Sequence, residues 1–281
     1  MYSIQEDEII FDSNFDEPFS NDIIEILSSV KKITFGLKYN QVLANIPDNI
    51  THIAFKGDSP ISISRFNKQI DKDCLPKSLT HLMLGYSFNQ CVDNLPYGIT
   101  HLRFGWEFNK PVNNLPNSIT HLRFGWEFNQ PVDFLPNSIR ELFFYRSFNQ
   151  FVDNLPNGIS HLTFGLLFNQ SINNLPLSIT YLKIGEEYVE NRTISTFKQP
   201  IFGLSRLTNL KYLKFGNGFL QDICCPIDGH CYLPNSIEEL HFEYDNQNIK
   251  SLPTSLRKLY IKNKLQDIRN IFGKKRKRSN Y

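Results

Sequence analysis

Five histidines, His52, His81, His101, His121 and His161, return at one place in a repeating pattern, and their type could bind a metal or respond to pH. No cysteine or paired carboxylate joins them at ligand spacing, so the row does not read as a metal site. The stretch Cys224-Cys225-Pro226-Ile227-Asp228-Gly229-His230-Cys231 gathers three thiols and an imidazole. Adjacent cysteines do not readily meet one tetrahedral ion, and the spacing is not a zinc spacing, so these read as reduced thiols in a loop. Ser118, Ser138 and Ser178 stand beside prolines, where turn hydroxyls belong. With no convergent nucleophile, acid pair or cofactor loop, the chain reads as non-enzymatic, without cofactor or metal.

A second group speaks for recognition. His101, Arg103 and Trp106 are followed twenty residues later by His121, Arg123 and Trp126, and then by Phe143, Tyr145 and Arg146. Trp, Tyr and Arg dominate binding hot spots, and exposed aromatic patches on protein surfaces usually have a use. These nine residues form the candidate partner-binding set. A structural alternative stays open for Trp106 and Trp126, which could stack on each other over a turn edge with Arg103 and Arg123 capping them through cation–π contacts. Interleaved bases and aromatics also suit single-stranded nucleic acid, the second reading. Glu107, Glu127, Glu141, Glu186 and Glu187 interrupt any basic stripe, however.

The element that positions these residues is a repeat. THLRFGWEFN occupies 100–109 and again 120–129, while Pro76, Pro96, Pro116, Pro136, Pro156 and Pro176 stand 20 residues apart. Taking the strand-like pentapeptide as marker, looser copies extend the series from EIIFD at Glu8 to KLYIK at Lys258, about twelve in all. In HLRFG, alternation puts Leu102 and Phe104 on one face and His101, Arg103 and Gly105 on the other. The WEFNKPVNNLPN that follows favours turns and extended return segments over a helix. A single unit cannot bury its apolar strip, so stacking must make the core. The expected fold is mostly β: a horseshoe solenoid with a parallel sheet on one face and irregular turns on the other, an arc of about 50–60 Å.

One column of the exposed face should run Glu8, Lys32, His52, His81, His101, His121, Glu141, His161, Tyr181, Tyr212, Glu239, Lys258. Protonating its histidines would build like-charge repulsion, relieved only near Glu141. The column Asn89, Asn109, Asn129, Asn149, Asn169 should satisfy backbone groups of neighbouring turns. Repeat spacing lengthens at 57–73, 186–206 and 217–233, where insertions should bulge.

Residues 1–272 are expected to form one solenoid with caps at both ends, LQDIRNIF closing the last copy, and 273–281 a basic disordered tail. Lys274, Lys275, Arg276, Lys277 and Arg278 suit a nuclear import signal, a phosphate contact or an inert solubilising end. An acidic start, five cysteines and the lack of a long apolar run place the chain inside the cell, cytoplasmic or nuclear, without membrane association. Oligomeric state is left open.

Phe128-Asn129-Gln130-Pro131, the related Phe108-Asn109-Lys110-Pro111 and the L-P-x-S-I that follows resemble the FNIP repeat, a relative of leucine-rich repeats known from social amoebae and large DNA viruses of amoebae. The resemblance implies a leucine-rich-repeat-like solenoid acting as a protein-interaction scaffold with a protein partner, in a substrate-recognition or adaptor role. Members often carry an N-terminal F-box; repeat-like sequence already begins at Glu8, so that domain is expected to be absent here.

Overall fold

Strict alternation of apolar and polar residues in each copy yields a short strand with one dry side. The computed structural model describes residues 1–186, 195–227, 229–243 and 251–268. The basic tail at 273–281 and the end of the segment expected to cap the last copy lie outside them.

The chain opens with β1 (Tyr2–Gln5), which pairs antiparallel with β2 (Glu8–Phe11), and after helix α1 (Asn21–Leu27) continues into β3 (Lys32–Phe35) and β4 (His52–Phe55). A small antiparallel hairpin, β5 (Asp58–Ser59) with β6 (Ser62–Ile63), fills the first insertion. Then come β7 (His81–Met83), β8 (His101–Arg103), β9 (His121–Arg123), β10 (Glu141–Phe143), β11 (His161–Gly165) and β12 (Tyr181–Glu186). After a 3-10 turn at Phe202–Arg206, β13 (Tyr212–Phe215), β14 (Glu239–Phe242), β15 (Lys258–Ile261) and the antiparallel β16 (Lys264–Gln266) complete a 14-stranded sheet. From β2 to β15 all pairings are parallel and sequential, twelve strands for twelve copies. The register sets Glu8 against Lys32, then His52, His81, His101, His121, Glu141, His161, Tyr181, Tyr212, Glu239 and Lys258, the column read from sequence.

Two phenylalanine columns make the core. Phe104 stacks on Phe108 within its copy at 3.7 Å and on Phe124 of the next at 5.6 Å, and both rings are almost wholly buried. Burying one such ring contributes about 1.5–3 kcal/mol, and each ring needs its neighbouring copies to be dry.

On the turn side an asparagine ladder stitches the copies. Asn109 Oδ1 accepts from Asn129 N–H at 3.0 Å, Asn129 Oδ1 from Asn149 N–H at 2.9 Å, and Asn149 Oδ1 from Asn169 N–H at 2.8 Å. The ladder begins at Asp16, which serves Asn40, and ends on Lys198. The hydroxyls of Ser118, Ser138 and Ser178 donate to Ile99, Ile119 and Ile159 carbonyls at 2.6 Å, so they are structural fasteners.

Two expectations need correction. Gly105 does not continue the exposed face: the strand ends at Arg103 and Gly105 is buried. A Cβ on Gly125 would lie 1.6 Å from the Gly105 carbonyl oxygen, so glycine is there to let successive turns touch. Nor do the copies turn without a helix throughout, since Ser20 caps α1, which buries Ile23 and Leu27 against the first copies.

Candidate partner-binding face

The nine residues singled out from sequence are brought to one region but onto two surfaces. His101, Arg103, His121, Arg123 and Phe143 lie on β8, β9 and β10, in the two columns that face solvent. Trp106, Trp126 and Arg146 lie on the turn that follows each strand. Tyr145, which replaces the glycine of other copies, joins the two surfaces by an edge contact with Phe143 at 4.7 Å and 61°.

On the turn edge the rings form a closed stack. Tyr86 packs on Trp106 at 5.5 Å, Trp106 on Trp126 at 4.1 Å and 8°, and the Arg146 guanidinium covers Trp126 at 5.3 Å. Both faces of each indole are thereby occupied. The cation over Trp126 is Arg146, which the sequence alternative did not offer as a cap. Arg123 instead lies over Phe143 at 5.8 Å. Tyr86 was missed, although its alignment with Trp106 in the preceding copy was a usable signal.

The histidine row is similarly self-packed. His52, His81, His101 and His121 stack at 4.1 Å between neighbouring centroids, with rings within 12° of parallel. Each Nδ1 sits 2.8–2.9 Å from the hydroxyl of the preceding threonine, Thr51, Thr80, Thr100 or Thr120. Burial and the neighbouring imidazoles His52, His101 and His121 push His81 down to about 4. His52 is lowered by burial and Lys32, and His101 by burial and His121. The row ends where His121 Nε2 meets Glu141 Oε1 at 3.6 Å. It is a partly dry strip with an acid at its end.

Around that end lies a cleft of about 160 Å³, floored by Leu122 and Leu142 and walled by His121, Arg123, Glu141, Phe143, His161, Thr163, Tyr181 and Lys183. A shallower hollow of about 350 Å³ continues along the row over Ala54 and Met83 to Arg103. The participation of His161, Thr163, Tyr181 and Lys183 was not anticipated. Their signal was the register itself, which carries both columns past Phe143. A wider hollow of about 820 Å³ lies on the return segments between Lys72 and Phe134, with Tyr97 88% exposed, away from the predicted set.

Among the described residues no cluster of three His, Cys, Asp or Glu stands at metal-binding distances, and no helix is long and apolar enough to cross a membrane. Cys224 and Cys231 face each other across an antiparallel bridge, with Cys224 buried and its thiol 3.3 Å from Ser251 Oγ; the cysteines are free thiols. Asp228 of that stretch lies outside the described residues.

Parallel strands stacked one per copy, an apolar ladder inside and an asparagine ladder at the turn define a solenoid of leucine-rich-repeat type. The family model described as FNIP Repeat matches residues 66–105, 92–125, 108–147, 128–166 and 148–187. Residues 66–187 of the chain carry FNIP repeats. Among solved structures it is similar to CroV588, a giant-virus protein described as a novel circular LRR protein, at 37% identity over 92% of this chain, with a TM-score of 0.61. The chain spans 44% of the length of CroV588. It also shares the fold of an internalin, inlF, of Listeria monocytogenes, at 16% identity and a TM-score of 0.54, covering 95% of this chain and 84% of that one. No curated protein matches the chain.

Proposed function

We propose that the chain is a non-enzymatic, intracellular scaffold that holds a protein partner on the solvent face of its sheet, centred on the cleft between Arg123 and Lys183. The observation that carries this reading is a change of surface on an unchanged core. At β10 the histidine column becomes Glu141, the arginine column becomes Phe143, the glycine column becomes Tyr145 and the tryptophan column becomes Arg146. Leu142, Phe144 and Phe148 meanwhile keep the buried pattern. Local rules broken together on one surface mark a functional site. Aromatic, cationic and acidic groups around an apolar floor suit a polypeptide better than a uniform polyanion.

The nucleic-acid reading is weaker for a geometric reason. Base stacking needs open aromatic faces, and both faces of Trp106 and Trp126 are already covered. The test is affinity capture from cell extract with wild type, with Arg123→Glu combined with Phe143→Ala, and with Asn154→Ala on the far turn as control. A protein lost with the first variant and kept by the control supports the reading; identical captures by all three overturn it.

A further inference from the structure

The two ends of the chain carry opposite charge. The first thirty residues hold eight Asp and Glu and no Lys or Arg, while the last thirty-one hold ten Lys and Arg against one Asp. Some of these charges are matched locally: Asp7 by Lys32, Asp12 by the N-terminal ammonium, Lys258 by Glu239 and Arg257 by Glu238. Among the described residues Glu6, Asp16, Glu17 and Lys264 make no such ion pair, and they stand at the surface. The sequence is therefore acidic over its first thirty residues and basic over its last thirty-one, with Lys264 exposed on β16 itself.

Each end is also an edge strand, and the direction of its backbone groups can be derived. Asp12 N–H donates to the Met1 carbonyl at 3.0 Å, and the register runs Tyr2 to Phe11, Ser3 to Ile10 and Ile4 to Ile9. Antiparallel pairs alternate between hydrogen-bonded and not, so Ser3 bonds β2 while the backbone groups of Tyr2 and Ile4 point to the open edge. At the other end Lys262 and Asn263 form a two-residue turn with φ of 49° and 59°, which makes Ile261 and Lys264 the bonded pair. The N–H and C=O of Leu265 then point outward. Among the described residues β1 pairs only with β2 and β16 only with β15.

These edges match each other. Both strands run against the solenoid strands, so in a continued sheet they would lie parallel. A parallel bridge needs one residue whose N–H and C=O reach two residues flanking its partner. Leu265 N–H donating to the Tyr2 carbonyl, and Ile4 N–H donating to the Leu265 carbonyl, is that pattern with Ser3 as partner. The pleat agrees, because Ser3 and Leu265 both lie on the solvent face. Tyr2 and Ile4, 38% and 49% exposed, carry the apolar side of Phe11 and Ile9 beyond the last covered strand. Edge strands in soluble proteins are usually blunted by charge, but β1 reads YSIQ.

We infer that this chain associates head to tail with a second copy of itself, β16 of one molecule adding to β1 of the next, with the opposite end charges steering the encounter. Such a contact is heterologous, so it grows into a ring or an open array rather than stopping at a symmetric pair.

Sedimentation velocity over a range of concentrations tests it with two variants. Ile4→Pro removes an outward N–H from the first edge and Leu265→Pro one from the second, and neither bond belongs to the hairpin that holds the strand. Wild type should sediment as growing species, weakened about tenfold between roughly 0.01 M and 1 M salt as the Debye length falls from about 30 to 3 Å. Each variant alone should be monomeric with wild-type circular dichroism. Mixed, they should form a dimer and nothing larger, since one good edge of each kind remains; that recovery also shows both are folded. A monomeric wild type, association insensitive to salt, association surviving in either variant alone, or a mixture that stays monomeric would each overturn the inference.

Discussion

Copies 101–109 and 121–129 are letter-for-letter repeats, whereas the copy at 141–149 reads ELFFYRSFN on the same core. Identical neighbours satisfy one another: His101 stacks on His121 and Trp106 on Trp126, each at 4.1 Å. At the third copy the stacks end, His121 meeting Glu141 and Trp126 meeting Arg146. Repetition alone thus builds closed columns, and the break in the repeat changes the chemistry of the walls of the cleft beside it. The buried side chains cross the break without change, which separates what holds the solenoid from what its surface can grip.

The largest effect that would sharpen this separation is in the core. Phe124→Ala should lower unfolding free energy by about 3–5 kcal/mol in urea denaturation, and Phe143→Ala, one residue before the next column, by about 1 kcal/mol or less. Equal losses would mean that the surface of β10 is part of the framework. Next comes the asparagine ladder. Asn129→Ala leaves Asn149 N–H without its acceptor, removes one of the two acceptors of Gln150 Nε2, and should cost about 1–3 kcal/mol. Asn149→Ala should cost the same, because the ladder ignores the break. A large difference between the two would show that it does not.

A smaller effect comes from pH. Folding holds His52, His81 and His101 below their ordinary value, so the unfolded chain binds protons first. Stability is then full above about pH 6.5 and declines as pH falls towards 4, where His81 titrates. With allowance for solvent around partly buried groups, the loss is about 1–2 kcal/mol. His81→Gln should flatten the decline in thermal melts between pH 7 and 4.5, and an unchanged slope would remove the row as its source. The smallest effects belong to the ends of the stacks. Arg146→Ala should cost about 0.5–1 kcal/mol and Glu141→Gln about 0–1 kcal/mol by the same melts.

The strand columns, the apolar strip, the serine fasteners and the asparagine ladder were legible in the sequence because each follows from period and residue type. Arg123 and Phe143 both belong to the candidate set and lie 5.8 Å apart, while the cation over Trp126 is Arg146, which the sequence alternative did not offer as a cap. Tyr86, Thr163 and Lys183 were not named, and His161 and Tyr181 appeared only in the exposed column, because the candidate set followed the two identical copies and the one after them. Helix α1 escaped because only seven residues, capped by Ser20, form it between two copies.

Sequence by itself determined the number of stacked strands, their order, which side of each is dry, and the charge at each end. Those properties are local or periodic, and a strict repeat leaves one way to satisfy them all. Tertiary structure alone decided which faces of the tryptophans and histidines are used up, where the cleft opens, and which backbone groups of β1 and β16 point outward. Each of these depends on how one copy sits against the next, a relation between residues about twenty apart whose distances and angles no single stretch of chain contains.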